Sequence, residues 1–520
     1  MIDHLRDERV DLVALDARVL LEALDPHRSR LEAQGAARSG FRSVDDPAPH
    51  LTRSSDRLGE ERPLRESPAK VFARLSTRER PDVAAPRLRR AVVLGGSVAG
   101  LLAARVLADH AHEVLVVERD GEAAGEERRG VPQRLQVHAL LPGGRAQIER
   151  WFPGFGQEAA EQGAVASAAE QSEQWIDDVR AVRAPNVVLL NGSRTFIEAL
   201  VRRRTLALPN MRPVHVAAIG LTYRDGRVSG VRVSGVDDES ILPADFVVDA
   251  MGRSSRLSAW LETDGWQPPP LERMQIDVNY ATAYFARPEN EPRVAVATSR
   301  VSPDYPKKTH AALTAVENGR WMLLQMTYGE DRPPQDWEGF LARCADLPPV
   351  FAEVARNEPI GEVHTFRLAE ARRRRYDRLD RLPGGLVSVG DAVASFNPIY
   401  GQGMSSAALH ASCLSEYLCA ATDATRPARR FFELQKVVVD AAWDLSTQAD
   451  AQRLETSSPP LPVRFQRARV DQVLDAAVVD IRVATAFNEV AFMNAHPRTL
   501  AAPAVVLRSL ATNMRTRVRR

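Results

Sequence analysis

Short continuous apolar runs mark the first part of the chain. Arg90 to Leu94 and Val114 to Glu118 read as strands buried on both faces, as in a parallel sheet. Leu101 to Leu107, between them, is rich in helix formers. Phe246 to Asp249 and Gly385 to Val389 are later runs of the same kind, and strands are also expected around Ala181 to Leu190 and Val214 to Val233. A second pattern alternates apolar and polar residues, at Ile276 to Phe285 and Arg320 to Tyr328, and predicts antiparallel strands. A third has helical spacing: Pro142 to Phe152, Met404 to Leu418 and Val473 to Val490. The pattern predicts an α/β protein with a parallel-sheet domain, an antiparallel-sheet domain and C-terminal helices.

Chemistry concentrates where two of these strands end. After Leu94 the chain reads Gly95-Gly96-Ser97-Val98-Ala99-Gly100 and then enters a helix, the strand, turn and helix order of a dinucleotide fingerprint. Gly95 allows the tight turn and Gly100 lets the helix pack on the strand. Ser97 stands at the middle glycine position, and the helix N-terminus offers free N–H groups to a diphosphate. Glu118 lies about 23 residues past Gly95 at the end of the next strand, with Arg119 beside it. A carboxylate there binds an adenosine ribose 2′-OH and repels a 2′-phosphate. The second turn, Gly390 to Met404, starts with Asp391, placed to accept bonds from ribityl hydroxyls. Asn397-Pro398 bends the chain, and Gly401 and Gly403 let the backbone pass flat against a planar ring. The helix opening at Met404 and Ser405 would point its positive end at the ring where negative charge collects on reduction. The two turns in this order point to FAD.

These stretches resemble the group A flavoprotein monooxygenases of p-hydroxybenzoate hydroxylase-like fold. The resemblance covers roughly residues 88 to 420 and is closer to the bacterial polyether flavin epoxidases of the monensin and lasalocid type, and more distantly to squalene epoxidase. Gly130-Val-Pro-Gln133, His138-Ala-Leu-Leu141, Ser193-Arg194, Arg202-Arg-Arg204 and Val248 to Leu257 carry it, together with Asn397 to Met404. It implies a Rossmann-like FAD-binding domain and an antiparallel-sheet substrate domain. It implies FAD contacts from Arg134, Arg194, Asp249 and Gly252. It implies insertion of one oxygen atom from O2 through a flavin C4a-hydroperoxide, by epoxidation or hydroxylation of a polyketide- or terpenoid-like intermediate. Three departures stand out: Met251-Gly252 replaces the family's Asp-Gly, Ser405 replaces a frequent Asn, and Leu135 replaces an Arg. The first leaves the electron source open between NAD(P)H and an external reductase. A flavin reductase or carrier protein is a candidate partner.

Tyr280, Tyr284, Met326, Tyr328 and Phe396 are the candidate lining of a pocket for a small hydrophobic substrate. Because the flavin carries the chemistry, no catalytic side chain is assigned and no metal is expected. His138 and His410 read as structural. The competing readings are an FAD-dependent cyclase or non-redox flavoprotein of natural-product biosynthesis, and a geranylgeranyl-reductase-like oxidoreductase. A flavin halogenase would carry a Trp-x-Trp-x-Ile-Pro segment and a relay lysine; the lysines between the turns are Lys307 and Lys308, beside a proline.

Composition changes this picture little. The chain has 520 residues, 44% hydrophobic, with a net charge of +1, so its overall charge does not argue for nucleic acid. The basic runs Arg202 to Arg204, Arg372 to Arg375 and Arg515 to Arg520 read as solvated faces, the second with a further structural or diphosphate-side option. Cys344, Cys413 and Cys419 lack metal or redox spacing, and the last two are expected to be buried. With no apolar run long enough for a signal or a membrane span, a cytoplasmic protein without an integral membrane segment is expected. The expected organisation is an extension at 1–86, the FAD-binding domain at 87–265 and 381–420, the substrate sheet at 266–380 and helices at 421–520. Within the extension, Val10 to Leu24 has helical spacing and His50 to Ala69 has a disordered composition.

Overall fold

Five parallel strands build the first sheet, in the order Leu386–Ser388, Phe246–Asp249, Leu88–Leu94, Ala111–Val117, Met211–Val214. Neighbouring residues of a strand face opposite sides, so the full burial of both Val92 and Val93, and of both Val247 and Val248, means that both faces are covered. From the central strand Leu88–Leu94 the chain builds outward on one side and later returns on the other. Its C-terminal end therefore lies at a topological switch point, where such sheets bind ligands. The structure is a computed structural model that describes residues 65–119 except 84, and 135–519 except 139, 235–238, 290–292 and 455–460. The expected helix at Val10–Leu24, the Gly130–Gln133 segment and Arg134 lie outside these residues.

The second sheet has eight strands, in the order Ala394–Ser395, Pro359–Arg374, Leu271–Ala286, Arg320–Tyr328, His310–Val316, Val296–Arg300, Ser172–Ile176, Val179–Arg180. The alternation seen at Ile276–Phe285 has its physical counterpart here. Ala281, Ala283 and Phe285 enter a core roofed by the helices Trp337–Cys344 and Pro349–Val354, with Phe340 and Phe351 fully buried. Tyr280 and Met326 instead join the main core shared with the parallel sheet. The sheet therefore has one face toward the dinucleotide turns.

Four sequence expectations meet a different structure. The sheet recruits residues 172–180 from within the stretch expected to serve FAD alone. The expected strand at Ala181–Leu190 is largely coil, because Pro185 interrupts it; Val182 N–H instead donates to Val478 O, and strand returns only at Leu189–Asn191. A helix at Pro68–Leu75 enters the stretch whose composition reads as disordered: Ser67 caps it, and Val71, Phe72 and Leu75 are buried in the main core. The helical pattern at Val473–Val490 is two helices, Leu461–Val479 and Ile481–Ala491. Asp480 breaks the pattern by capping the second through Arg482 N–H and Val483 N–H. In addition, Cys413 is buried as expected, but Cys419 lies in the last turn of its helix and is exposed. Among the described residues no helix is long and apolar enough to cross a membrane.

Candidate functional site

The first turn is built by close packing. Gly95 holds φ +108°, and a β-carbon on it would lie 2.4 Å from the Ala250 carbonyl oxygen. A β-carbon on Gly100 would lie 1.9 Å from the Gly95 carbonyl oxygen, so only glycine lets the helix Val98–Leu107 seat against its strand. Val98 is buried in that first helical turn, with Ala99 half-buried beside it. Gly96 N–H donates to Glu118 Oε2 at 2.9 Å, and Arg202 Nη1 donates to Gly96 O at 2.9 Å. Ser97 starts the helix without a side-chain cap; its hydroxyl donates to Glu198 Oε2 at 2.6 Å and accepts from Arg194 at 3.1 Å. The helix N-terminus is thus left to an incoming anion. Arg119 is exposed at the edge. Arg202 and Glu198 are site residues that sequence reasoning missed; the basic run held a signal, but only the fold shows that Arg202 grips the turn while Arg203 and Arg204 pair with Glu158.

The second turn abuts the first. A β-carbon on Gly390, at φ +61°, would lie 2.6 Å from the Ala99 β-carbon, and Gly390 N–H donates to His410 Nδ1 at 2.9 Å. Burial pushes His410 down to about 3, so it stays neutral as a structural acceptor. Asp391 follows, near two cations: loss of water around its carboxyl raises it above the ordinary range, opposed by the charges of Arg194 and Arg253. His138 stands near Arg194 too, pushed down to about 3 by burial and that charge. Arg253, missed in the sequence, extends from the Gly252 turn (φ +70°) and donates to Ser395 Oγ at 3.0 Å. Arg374 donates to Ala392 O at 2.8 Å, and Arg373 and Arg375 pair with Glu272, so this run braces the turn through the structure. Pro398 and Gly403 are exposed, and a β-carbon on Gly403 would meet nothing within 4 Å. Gly401 holds φ +67°. Met404 is buried, and Ser405 is packed against Gly144, whose β-carbon would lie 2.4 Å from Ser405 Oγ.

Asp249 has a different position from an exposed ligand. It is fully buried at the strand end and accepts from Ser255 Oγ at 2.7 Å, Ser388 Oγ at 3.0 Å and Met251 N–H at 3.1 Å. It ties its own strand and the flanking strand Leu386–Ser388 to the Gly252 turn. Asp249→Ala is expected to lower stability by about 3 kcal/mol, since two buried hydroxyls and the half-buried Met251 N–H lose their acceptor. Denaturant unfolding checks this; a change below about 1 kcal/mol would mean that the carboxylate is not the brace.

The substrate candidates divide into two groups. Tyr280 and Tyr328 meet at Asn397, next to Phe396 in the chain, with Met326 opposite Tyr280 across the sheet. Tyr284 sits apart, under Arg320 at 5.3 Å from its ring centroid and edge-on to His364. The first group surrounds a buried polar centre. Asn397 Nδ2 donates to Asp450 Oδ1 at 2.9 Å, and the hydroxyls of Tyr328 and Tyr400 donate to the same oxygen at 3.2 and 3.4 Å. Tyr280 OH donates to Asn397 Oδ1 at 3.4 Å. Arg453 lies over the Tyr328 ring at 5.0 Å and Arg300 over the Tyr400 ring at 5.9 Å. Asp450 is 1% exposed and its Oδ2 is without a protein partner. Burial pushes its carboxyl up to about 6, against the three hydrogen bonds. Asp450 comes from the helix Arg429–Leu454, and nothing in its local sequence marks it.

The site fits a dinucleotide on its own geometry: two adjoining glycine turns, two helix N-termini without side-chain caps, Arg194 and Arg253, and a buried Arg194 Nε without a protein partner. The comparisons agree. The family model described as FAD binding domain matches residues 89–432. Protein Rv3254 of Mycobacterium tuberculosis is 32% identical over 417 residues, covering 75% of this chain and 86% of that protein. Kynurenine 3-monooxygenase of Salinispora arenicola is 26% identical over 401 residues, covering 69% and 79%. The solved structure of the flavin-dependent brominase Bmp2 superposes with a TM-score of 0.56 at 15% identity, covering 82% of this chain and 99% of that one, a likeness of fold alone.

Proposed function

This chain belongs to the FAD binding domain family of flavoproteins, and on that premise we propose that it is a monooxygenase. It inserts one atom of O2 into a hydrophobic polyketide- or terpenoid-like natural-product intermediate. The observation that carries this reading is the seating of Gly390 against Ala99, which joins a diphosphate turn to a ring-binding turn. FAD held there would let two electrons from NAD(P)H or an external reductase activate O2, with one oxygen atom entering the product and the other leaving as water. The first turn and Arg194 hold the diphosphate, Glu118 the adenosine ribose, and Asp391 the ribityl hydroxyls. The backbone at Gly401 and Gly403 passes along the ring. Tyr280, Met326, Tyr328 and Phe396 exclude water from the reacting carbon.

Asp450 refines the substrate. Its free oxygen, beside the ring-binding turn, accepts a hydrogen bond or a proton from a hydroxyl on the substrate. It therefore favours hydroxylation of a carbon activated by a neighbouring hydroxyl over epoxidation of a plain alkene of the polyether-epoxidase kind. The test is the visible spectrum of the purified protein followed by turnover in 18O2. Flavin bands and one 18O atom in the product are expected; label arriving from 18O-water alone, or a protein that takes up no FAD, would overturn the reading.

A further inference from the structure

The C-terminal helix Pro503–Arg519 turns an apolar stripe away from the protein. Its inner side mixes the half-buried Val505 and Val506 with polar contacts: Ser509 is buried, Asn513 Nδ2 donates to Gln472 O, and Thr512 and Arg508 grip Asp480. Its outer side is apolar, with Leu507 66%, Leu510 38%, Met514 59% and Val518 87% exposed. At 100° per residue these four share one stripe about 16 Å long. Val479 and Ile481, on either side of Asp480 and thus next to Arg508, are also about half exposed, at 47% and 49%. A soluble surface rarely carries such a stripe without a partner.

The charge around the stripe selects the partner. Residues 490–520 hold arginines at 498, 508, 515, 517, 519 and 520 and no acidic residue. Arg515 is exposed beside the stripe. A second copy packed here about a two-fold axis would set arginine against arginine. A nucleic acid offers no place for the apolar residues. A bilayer rich in acidic headgroups answers both: acyl chains take the stripe, and phosphates take the exposed Arg515 and the basic residues around it, Arg508 being held by Asp480.

We propose that the helix Pro503–Arg519 docks the protein on an anionic lipid surface, lying in the plane of the interface. A peripheral anchor of this kind agrees with the absence of a spanning helix among the described residues. It would bring the enzyme to lipophilic compounds that partition into the membrane.

Vesicle flotation with the full-length, FAD-loaded protein tests this. The protein is expected to float with phosphatidylcholine vesicles containing phosphatidylglycerol, to stay behind with pure phosphatidylcholine, and to be released by high salt. Met514→Glu and Arg515→Glu are each expected to lower the bound fraction about tenfold while leaving the bound-flavin spectrum unchanged. Failure of the wild type to float, or undiminished floating of Met514→Glu, would overturn the proposal. So would a wild-type dimer that Met514→Glu converts to monomer without any vesicle binding, which would assign the stripe to a second copy.

Discussion

Gly100→Ala is expected to weaken FAD binding by about a hundredfold or more, equivalent to about 3 kcal/mol. A methyl group there would stand 1.9 Å from a backbone oxygen of Gly95, which is itself fixed against Ala250. Nothing flexible can yield, so the helix Val98–Leu107 must lift from its strand and carry its N-terminal N–H groups away from the diphosphate. The same displacement opens the parallel sheet's core, so a lower melting temperature is expected alongside the lost affinity. Gly403→Ala is the informative comparison. Its β-carbon meets no protein atom within 4 Å, so the apo protein should melt where the wild type does. If Gly403 passes along the flavin ring, the added methyl should still weaken FAD binding. Flavin fluorescence titration and apo-protein melting separate the two effects. Unchanged affinity in Gly100→Ala would show that the cofactor does not sit on this turn.

Asp450→Asn is expected to give the largest separation of activity from stability. Asparagine keeps an acceptor for Asn397, Tyr328 and Tyr400 but cannot take a proton. kcat/KM is expected to fall by about two to four decades, and the acid limb of the wild-type pH profile, centred near 6, is expected to disappear. Stability should move the other way. The folded carboxyl has its pKa raised from 3.8 to about 6, so the folded state holds the proton more tightly than the unfolded chain. That contribution is present below pH 3.8 and is lost as pH rises through 6. Above pH 6 the buried charge opposes folding by up to about 3 kcal/mol. Asp450→Asn should therefore be the more stable protein at pH 8, with the difference closing toward pH 4. Asp450→Ala removes the acceptor shared by the buried Asn397 amide and the half-buried Tyr328 and Tyr400 hydroxyls and should be less stable than either. An unchanged pH–rate profile in Asp450→Asn would remove Asp450 from the reaction while leaving the flavin assignment untouched.

The two turns were legible in the sequence because each is a local device. Strand, Gly95, Gly100 and helix follow one another within a few residues, and Gly100 is selected by its near neighbour Gly95. Gly95, Gly390 and Gly401 each hold a positive φ, a local backbone demand that glycine meets, although the contacts of Gly95 with Ala250 and of Gly390 with Ala99 are long-range. The alternation at Ile276–Phe285 was legible too, since period two follows from strand geometry alone. Asp249 shows where local reading runs short. The family resemblance implied a cofactor contact from Asp249, but Ser255 and Ser388, the latter from a strand more than a hundred residues later, bond its carboxylate. The Pro68–Leu75 helix was hidden by charged neighbours, because its apolar face has meaning only against the core it enters.

The sequence by itself determined the parallel-sheet class, the dinucleotide turns and the cofactor they suit, all of which depend on short-range sterics and periodicity. Only the tertiary structure decided that Gly390 rests on Ala99, that Arg202 grips Gly96, and that Asp450 meets Asn397 and the tyrosines from a distant helix. It also decided that the C-terminal helix turns its apolar stripe outward. Those outcomes depend on which surfaces the long-range packing buries. A side chain such as Asp450 shows no local sign of being enclosed until sheet, turn and helix close around it.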